Sequence, residues 1–175
     1  MAAGDLERRV ATLEAIEEIK KLQARYVDYL ITCDDWDGIV DFFTEDGVAD
    51  LVAGLAQGRG ELLKLFKEKI AVNHIGLEGN FLVHPDITVD GDKAKARWLL
   101  YLQYAQPRKR KVGSNPVTLV DAPDWSQGYY DVEYKKVDGK WKISYLKWTR
   151  RLDSPLSINI GTATTHLNAK AGGDE

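Results

Sequence analysis

Apolar residues recur three or four apart at Leu6, Val10, Leu13, Ile16, Ile19, Leu22, Tyr26 and Leu30, with charged side chains between them. That period predicts a long amphipathic helix over 6–30. The Asp34-Asp35 pair signals the start of a second, short helix, with Trp36, Ile39, Val40 and Phe43 on its inner face. Thr44–Gly47 reads as a turn and Val48–Val52 as a short strand. After Gly58-Arg59-Gly60, a stripe of Leu62, Leu63, Phe66 and Ile70 predicts a third helix. From residue 81 the period drops to two. Phe81–Val89 and Ala94–Tyr104 predict strands joined at Asp90-Gly91-Asp92, and Tyr129–Val137 and Trp141–Arg150 predict a second hairpin around Asp138-Gly139. Gln106–Gln127 reads as a long loop, and the chain beyond Pro155 as a tail. Three N-terminal helices followed by antiparallel strands predict an α+β fold, with the helices packed on one face of a curved sheet. At 175 residues the expectation is a single domain over 1–160 with a tail at 161–175.

Charge and composition narrow the function. Lys plus Arg is 24 and Asp plus Glu is 27, a formal net charge of −3, which argues against a broad nucleic-acid-gripping surface. The basic run Pro107-Arg108-Lys109-Arg110-Lys111 is read as a solvated hairpin tip rather than a nucleic-acid patch. No apolar run reaches the ~18 residues a membrane span needs, and no secretory signal is visible at the N-terminus, so a cytoplasmic location is expected. One cysteine, Cys33, excludes an internal disulfide and a cysteine-rich zinc site. The three histidines, His74, His84 and His166, lack metal-ligand spacing, and there is no dinucleotide, P-loop or nucleophile-elbow motif. No metal and no cofactor are expected. Five Trp and eight Tyr stand against four Phe and one Met. Such amphipathic rings suit an apolar pocket that hydrogen-bonds its ligand.

Three strings carry a family resemblance. They are Ile16-Glu-Glu-Ile-Lys-Lys-Leu-Gln-Ala-Arg-Tyr26 followed by Asp34 and Trp36, then His84-Pro-Asp-Ile-Thr-Val-Asp-Gly-Asp-Lys-Ala-Lys-Ala-Arg-Trp98, then Tyr134-Lys-Lys-Val-Asp-Gly-Lys-Trp141. Together they resemble SnoaL-like members of the NTF2-like superfamily over nearly the whole chain. Within it the chain is most similar to cofactor-free dehydratases and lyases: bile acid 7α-dehydratase, hexachlorocyclohexane dehydrochlorinase and scytalone dehydratase, with the lignin diarylpropane lyases as further relatives. The resemblance implies an NTF2-like cone, an α+β barrel whose helices close over a bent antiparallel sheet around one deep pocket.

The resemblance also assigns residues. Asp34 matches the aspartate that supports the catalytic base in the dehydrochlorinase-like members; its plain structural reading is a helix cap. Tyr26 matches a pocket tyrosine, able to hydrogen-bond a substrate oxygen or act as an acid, and Tyr29 shares its helix face. The catalytic histidine of the dehydratases falls on Asn80, and the aspartate of the bile acid enzyme's next strand falls on Leu102, so that acid–base pair is not carried over. His84, four residues beyond Asn80, would face the same side about 13 Å along the strand; otherwise it is a structural residue before Pro85. Arg150 matches a pocket arginine and is suited to hold a carboxylate, phenolate or enolate oxygen, whereas Arg151 would point outward. By strand parity, Trp98, Leu102, Tyr104, Tyr130 and Trp148 line the pocket, or simply fill a core.

The expected activity is a cofactor-independent lyase that removes water or a small fragment such as formaldehyde from a hydroxylated aromatic or polycyclic small molecule. Asp34, Tyr26, Arg150 and His84 are the catalytic candidates. Tyr29, Asn80, Trp98, Leu102, Tyr104, Tyr130 and Trp148 are the substrate-binding ones. A cyclase or isomerase of the polyketide or ketosteroid type needs the same groups, and a non-enzymatic binding or interaction module remains the alternative outside catalysis. A homo-oligomer, a dimer or trimer, is expected, with no nucleic-acid or membrane partner.

Overall fold

In the first helix the apolar stripe outruns the surface available to bury it. The computed structural model describes residues 3–32, 35–73, 78–104, 107–112, 115–120 and 124–154, and α1 spans Ala3–Thr32. At 1.5 Å per residue it is about 45 Å long. Only its C-terminal half is covered: Ile19, Leu22, Tyr26 and Leu30 are buried, while Leu6, Val10 and Leu13 are exposed. A 3₁₀ helix follows at Trp36–Phe42, capped by the Asp35 carboxylate, which accepts from the Asp37 amide at 3.0 Å. The shift from α to 3₁₀ geometry is tied to Tyr29. Its hydroxyl donates to the Asp35 carbonyl and accepts the Gly38 amide at 3.0 Å, and a Cβ at Gly38 would lie 2.7 Å from that oxygen.

Next come β1 (Phe43–Leu51), β2 (Gly54–Gln57) and α2 (Gly58–Leu65), which runs into a wide π turn at Phe66–Ile70 and a 3₁₀ turn at Ala71–Asn73. Thr44–Gly47, read as a turn from sequence, lies within β1, where the register to its neighbour shifts between Phe43 and Val48. The four residues of β2 are too few to show a period, so the hydrophobic pattern does not predict them. The remaining strands are β3 (Glu78–Asp90), β4 (Lys93–Tyr104), β5 (Pro107–Val112), β6 (Asn115–Val120), β7 (Asp124–Val137) and β8 (Lys140–Ser154). The expected loop over 106–127 is therefore corrected: it contains the β5–β6 ribbon and the start of β7. Its charged first strand has no alternation to reveal it.

The described strands form a six-stranded sheet in the order β2-β1-β8-β7-β4-β3, beside the two-stranded ribbon. β1 runs parallel to β8, and the other pairings are antiparallel. The sheet bends at bulges, each of which adds chain to one strand and increases local twist. His84 and Pro85 together oppose Trp98, and Ser144 and Arg151 are extra residues in β8. The Ser144 bulge switches the inward parity of β8. Trp141 and Ile143 face the core before it, and Leu146 and then Trp148 do so after it. At the far end of the core, the Trp98 indole N–H donates to the Tyr134 hydroxyl at 3.1 Å. That hydroxyl donates to Gln23 Oε1 at 2.7 Å. All three residues are buried, so the chain of bonds fixes α1 against the sheet.

Candidate active site

One cavity of about 280 Å³ lies between the helices and the sheet. It gathers contributions from every layer. α1 supplies Tyr26 and Leu30, the β1–β2 connection Val52 and Ala53, and the π turn Phe66, Lys69 and Ile70. The sheet supplies Asn80, Leu100, Leu102, Tyr130, Trp148 and Arg150. A larger open groove of about 520 Å³ runs between α1 and the β7–β8 turn, but six of its ten lining residues are charged (Glu18, Lys21, Arg25, Asp41, Lys140 and Lys142). The smaller cavity is the candidate site because its lining is mostly aromatic and aliphatic and includes the buried polar groups of Tyr26 and Asn80.

Tyr26 is fully buried. Its ring is gripped edge-on by Phe42, Phe43 and Phe66, with centroids 5.8, 6.0 and 6.5 Å away. Its hydroxyl makes no hydrogen bond of proper geometry among the described residues. Burial is the main cause that holds its pKa well above the ordinary phenol value, and the neighbouring Tyr130 phenol raises it further. Tyr130 is likewise pushed up by burial, against a smaller opposing effect from the Tyr26 contact. Both phenols are therefore neutral donors at physiological pH, not bases. The Tyr130 ring meets Trp148 edge-on at 5.5 Å, and that indole has its seat because β7 carries Gly128. A Cβ there would lie 2.8 Å from the Trp148 ring and 2.0 Å from the Thr149 carbonyl oxygen.

Asn80 and Leu102 face each other in the β3–β4 register, and both line the cavity. The side-chain oxygen of Asn80 is buried without a hydrogen-bond partner among the described residues. Each such atom costs about 1–3 kcal/mol in desolvation, a penalty that a ligand offering complementary groups relieves. Arg150 lies at the exposed side of the same wall, and Arg151 turns away to donate to the Tyr129 hydroxyl at 2.9 Å.

The structure thus brings Tyr26, Asn80, Leu102, Tyr130, Trp148 and Arg150 around one space. It places three other candidates elsewhere. Tyr29 anchors the 3₁₀ helix, Trp98 is bonded into the Tyr134 network, and His84 is exposed on the β3 bulge with φ +50°. For Trp98, shared parity with Leu102 does not place it in the cavity because its N–H is taken up four residues further down the strand, against Tyr134 and Gln23. For His84, the bulge itself breaks the alternation that would have aimed it inward. Asp34, Cys33, His74, the side chain of Tyr104 and the tail beyond Ser154 lie outside the described residues.

Lys69, Phe66 and Ile70 complete the lining from the helical side. Phe66 and Ile70 belong to the predicted stripe, but Lys69 is not among the sequence candidates. A signal exists: Lys69 is seven residues after Leu62 and three after Phe66, a lysine on an apolar helical face. Its ammonium donates to the Ala53 carbonyl at 3.3 Å. Among the described lining residues there is no carboxylate and no imidazole. They can bind, orient, donate protons and stabilise negative charge; a base has to come from elsewhere. The described residues contain no group of three metal-ligating side chains and no helix long and apolar enough to cross a membrane.

A curved, open six-stranded sheet, mostly antiparallel, with helices packed on it is the NTF2-like, cystatin-like fold. The chain belongs to the SnoaL-like family, whose domain model matches residues 11–147. An NTF2-like protein of Novosphingobium aromaticivorans with a cystatin-like fold is 21% identical, with a TM-score of 0.61, covering 93% of this chain and 96% of that one. A scytalone dehydratase-like protein of the same organism is 19% identical, with a TM-score of 0.64, covering 81% and 87%. The hexachlorocyclohexane dehydrochlorinase LinA-type3 of Novosphingobium barchaimii is 15% identical, with a TM-score of 0.66, covering 89% and 96%. Likenesses at this identity show the fold. No curated protein sequence matches the chain.

Proposed function

We propose that the protein is a cofactor-independent lyase that eliminates water, or formaldehyde together with water, from a hydroxylated aromatic small molecule. The observation that carries the reading is the fully buried hydroxyl of Tyr26, beside the Tyr130 phenol, at an aromatic cavity that also holds Asn80 and Arg150. A neutral phenol with its proton available is a general acid for a departing hydroxyl. Asn80 orients a substrate oxygen, and Arg150 stabilises negative charge that develops on the substrate. Asp34 is assigned as the base, two residues beyond the end of α1 at Thr32.

For dehydration, the base takes a C–H proton, the electrons form a C=C bond, and the C–O bond breaks as Tyr26 protonates the leaving oxygen. The proton then returns from Asp34 to Tyr26, and water leaves. For fragmentation, the base takes the proton of a primary hydroxyl and the C–C bond breaks to release formaldehyde. The freed electron pair expels a second hydroxyl as water, again with Tyr26 as acid. Dehydratases and dehydrochlorinases on the same fold support the reaction class. A volume of about 280 Å³ is just below the roughly 300–1,000 Å³ typical of ligand pockets, which favours one or two rings over a polycyclic substrate.

The test is turnover of hydroxylated lignin-dimer and steroid compounds in the presence of EDTA and without nucleotide, read by mass spectrometry. Loss of water or formaldehyde is expected for the dimers. A product of unchanged mass would assign an isomerase instead. Turnover that survives both Asp34→Asn and Arg150→Ala would overturn the residue roles.

A further inference from the structure

We propose that the N-terminal turns of α1 are a pairing surface for a second copy of this chain, with Leu6, Val10 and Leu13 forming a short, parallel two-helix seam. The three side chains are 56%, 45% and 63% exposed. They do not simply continue the buried stripe. A helix turns about 100° per residue, so a step of three residues falls about 60° short of a full turn. Val10, Leu13, Ile16, Ile19 and Leu22 follow one another at such steps, which together carry the stripe about 240° round the helix. Leu6, Val10 and Leu13 therefore lie nearly opposite Ile19, Leu22, Tyr26 and Leu30, the residues buried against the sheet and the other helices. The exposed Leu13 and the buried Ala15, two positions apart, mark the two sides. Rocking α1 against the sheet cannot bury the outer side, so its cover has to come from elsewhere.

The sequence of the seam selects the occupant. Leu6, Val10 and Leu13 have heptad spacing, with leucine at both d positions and the β-branched valine at the a position between them. That arrangement favours two parallel strands. The flanks differ in sign: Glu7 and Glu14 follow the leucines at e positions, and Arg9 precedes Val10 at the g position. When two copies lie parallel and in register, Arg9 of each faces Glu14 of the partner subunit, as g faces the next e. Antiparallel pairing would set one acidic flank along the other. Arg9 already has an interaction in its own chain, so the charges set direction and identity, and the apolar side chains supply the affinity. The seam ends at Glu17, which takes the next a position and pairs with Lys20 of its own helix at 2.6 Å. A contact this short stays below the roughly 1,000 Å² of a stable interface, so the dimer is weak. The body of each copy lies on the far side of its own α1, and the inference is independent of what the cavity binds.

Sedimentation of the full chain from about 5 to about 500 µM is expected to show a monomer that becomes a dimer, not a trimer, as concentration rises. Leu13→Glu is expected to weaken association roughly 10-fold or more. Its melting temperature should not change, because the position is exposed and both residues favour helix. Glu14→Arg alone is expected to weaken association several-fold, and Arg9→Glu added to it to restore the dimer. In a Cys33→Ser background, Val10→Cys is expected to give a disulfide-linked dimer on mild oxidation, since parallel helices in register bring the two copies of that position together. A monomer at the highest concentration, an association untouched by Leu13→Glu, or a charge swap that fails to restore it overturns the proposal. Binding of the monomer to phosphatidylserine vesicles, lost in Leu13→Glu, also overturns it and assigns the stripe to a membrane surface.

Discussion

Two buried tyrosines illustrate how a hydroxyl can serve stability or chemistry. Tyr134 accepts from Trp98 and donates to Gln23, whereas the Tyr26 hydroxyl has only the Tyr130 phenol beside it among the described residues. Tyr134→Phe therefore strands an indole N–H and an amide oxygen, and is expected to cost about 2 kcal/mol in denaturant unfolding. Tyr26→Phe removes a buried hydroxyl that lacks a hydrogen bond of good geometry and keeps the ring between Phe42, Phe43 and Phe66. It is expected to leave stability unchanged or raise it by about 1 kcal/mol. If Tyr26 is the acid, the same change lowers kcat roughly 10²- to 10⁴-fold. A gain in stability with a loss of turnover is the mark of a residue retained for function; a loss of stability in Tyr26→Phe would assign that hydroxyl to the core instead.

At the scale of elements, the cavity exists because strands are interrupted. The Ser144 bulge turns Leu146 and Trp148 inward, and Gly128 leaves the room that the Trp148 ring fills. Gly128→Ala places a methyl against the Thr149 carbonyl and that ring. The expected result is a loss of about 1–3 kcal/mol from overpacking, with a shifted tryptophan emission as Trp148 is displaced. An unaltered melting temperature and spectrum would show that β8 gives way freely at this point. The same interruptions explain what the sequence could reveal. Helices and hairpins were legible because their periods and the Asp138-Gly139 turn are local. Tyr26, Asn80, Leu102, Tyr130, Trp148 and Arg150 were legible through the family strings and parity. A bulge leaves no local signature, so parity alone leaves His84 open between the pocket side of Asn80 and a structural place before Pro85; it is exposed on the bulge. Lys69 is not among the sequence candidates because its place in the lining depends on the β1–β2 connection folding back on it, a contact sixteen residues away in the chain.

For the whole molecule, the cost of an aromatic interior appears at alkaline pH. Tyr26, Tyr130 and Tyr134 all have pKa values raised, chiefly by burial, above the ordinary phenol value. In the unfolded chain these phenols ionise near pH 10; in the folded chain they keep their protons. Above pH 10 the folded state therefore binds more protons than the unfolded state, and stability falls as pH rises. Below pH 10 both states hold them protonated, so the three groups add no slope there. Each phenol contributes a loss approaching roughly 1.4 kcal/mol per pH unit until its folded pKa is reached. Melting curves from pH 7 to 11 are expected to show a steep fall only above about pH 10. Tyr26→Phe removes one titrating group and should make that fall shallower, without altering the curve near neutrality. An identical alkaline slope in the variant would mean that Tyr26 ionises as readily folded as unfolded. It would then be no proton-bearing phenol in a dry cavity, and its assignment as the general acid would lose its physical basis.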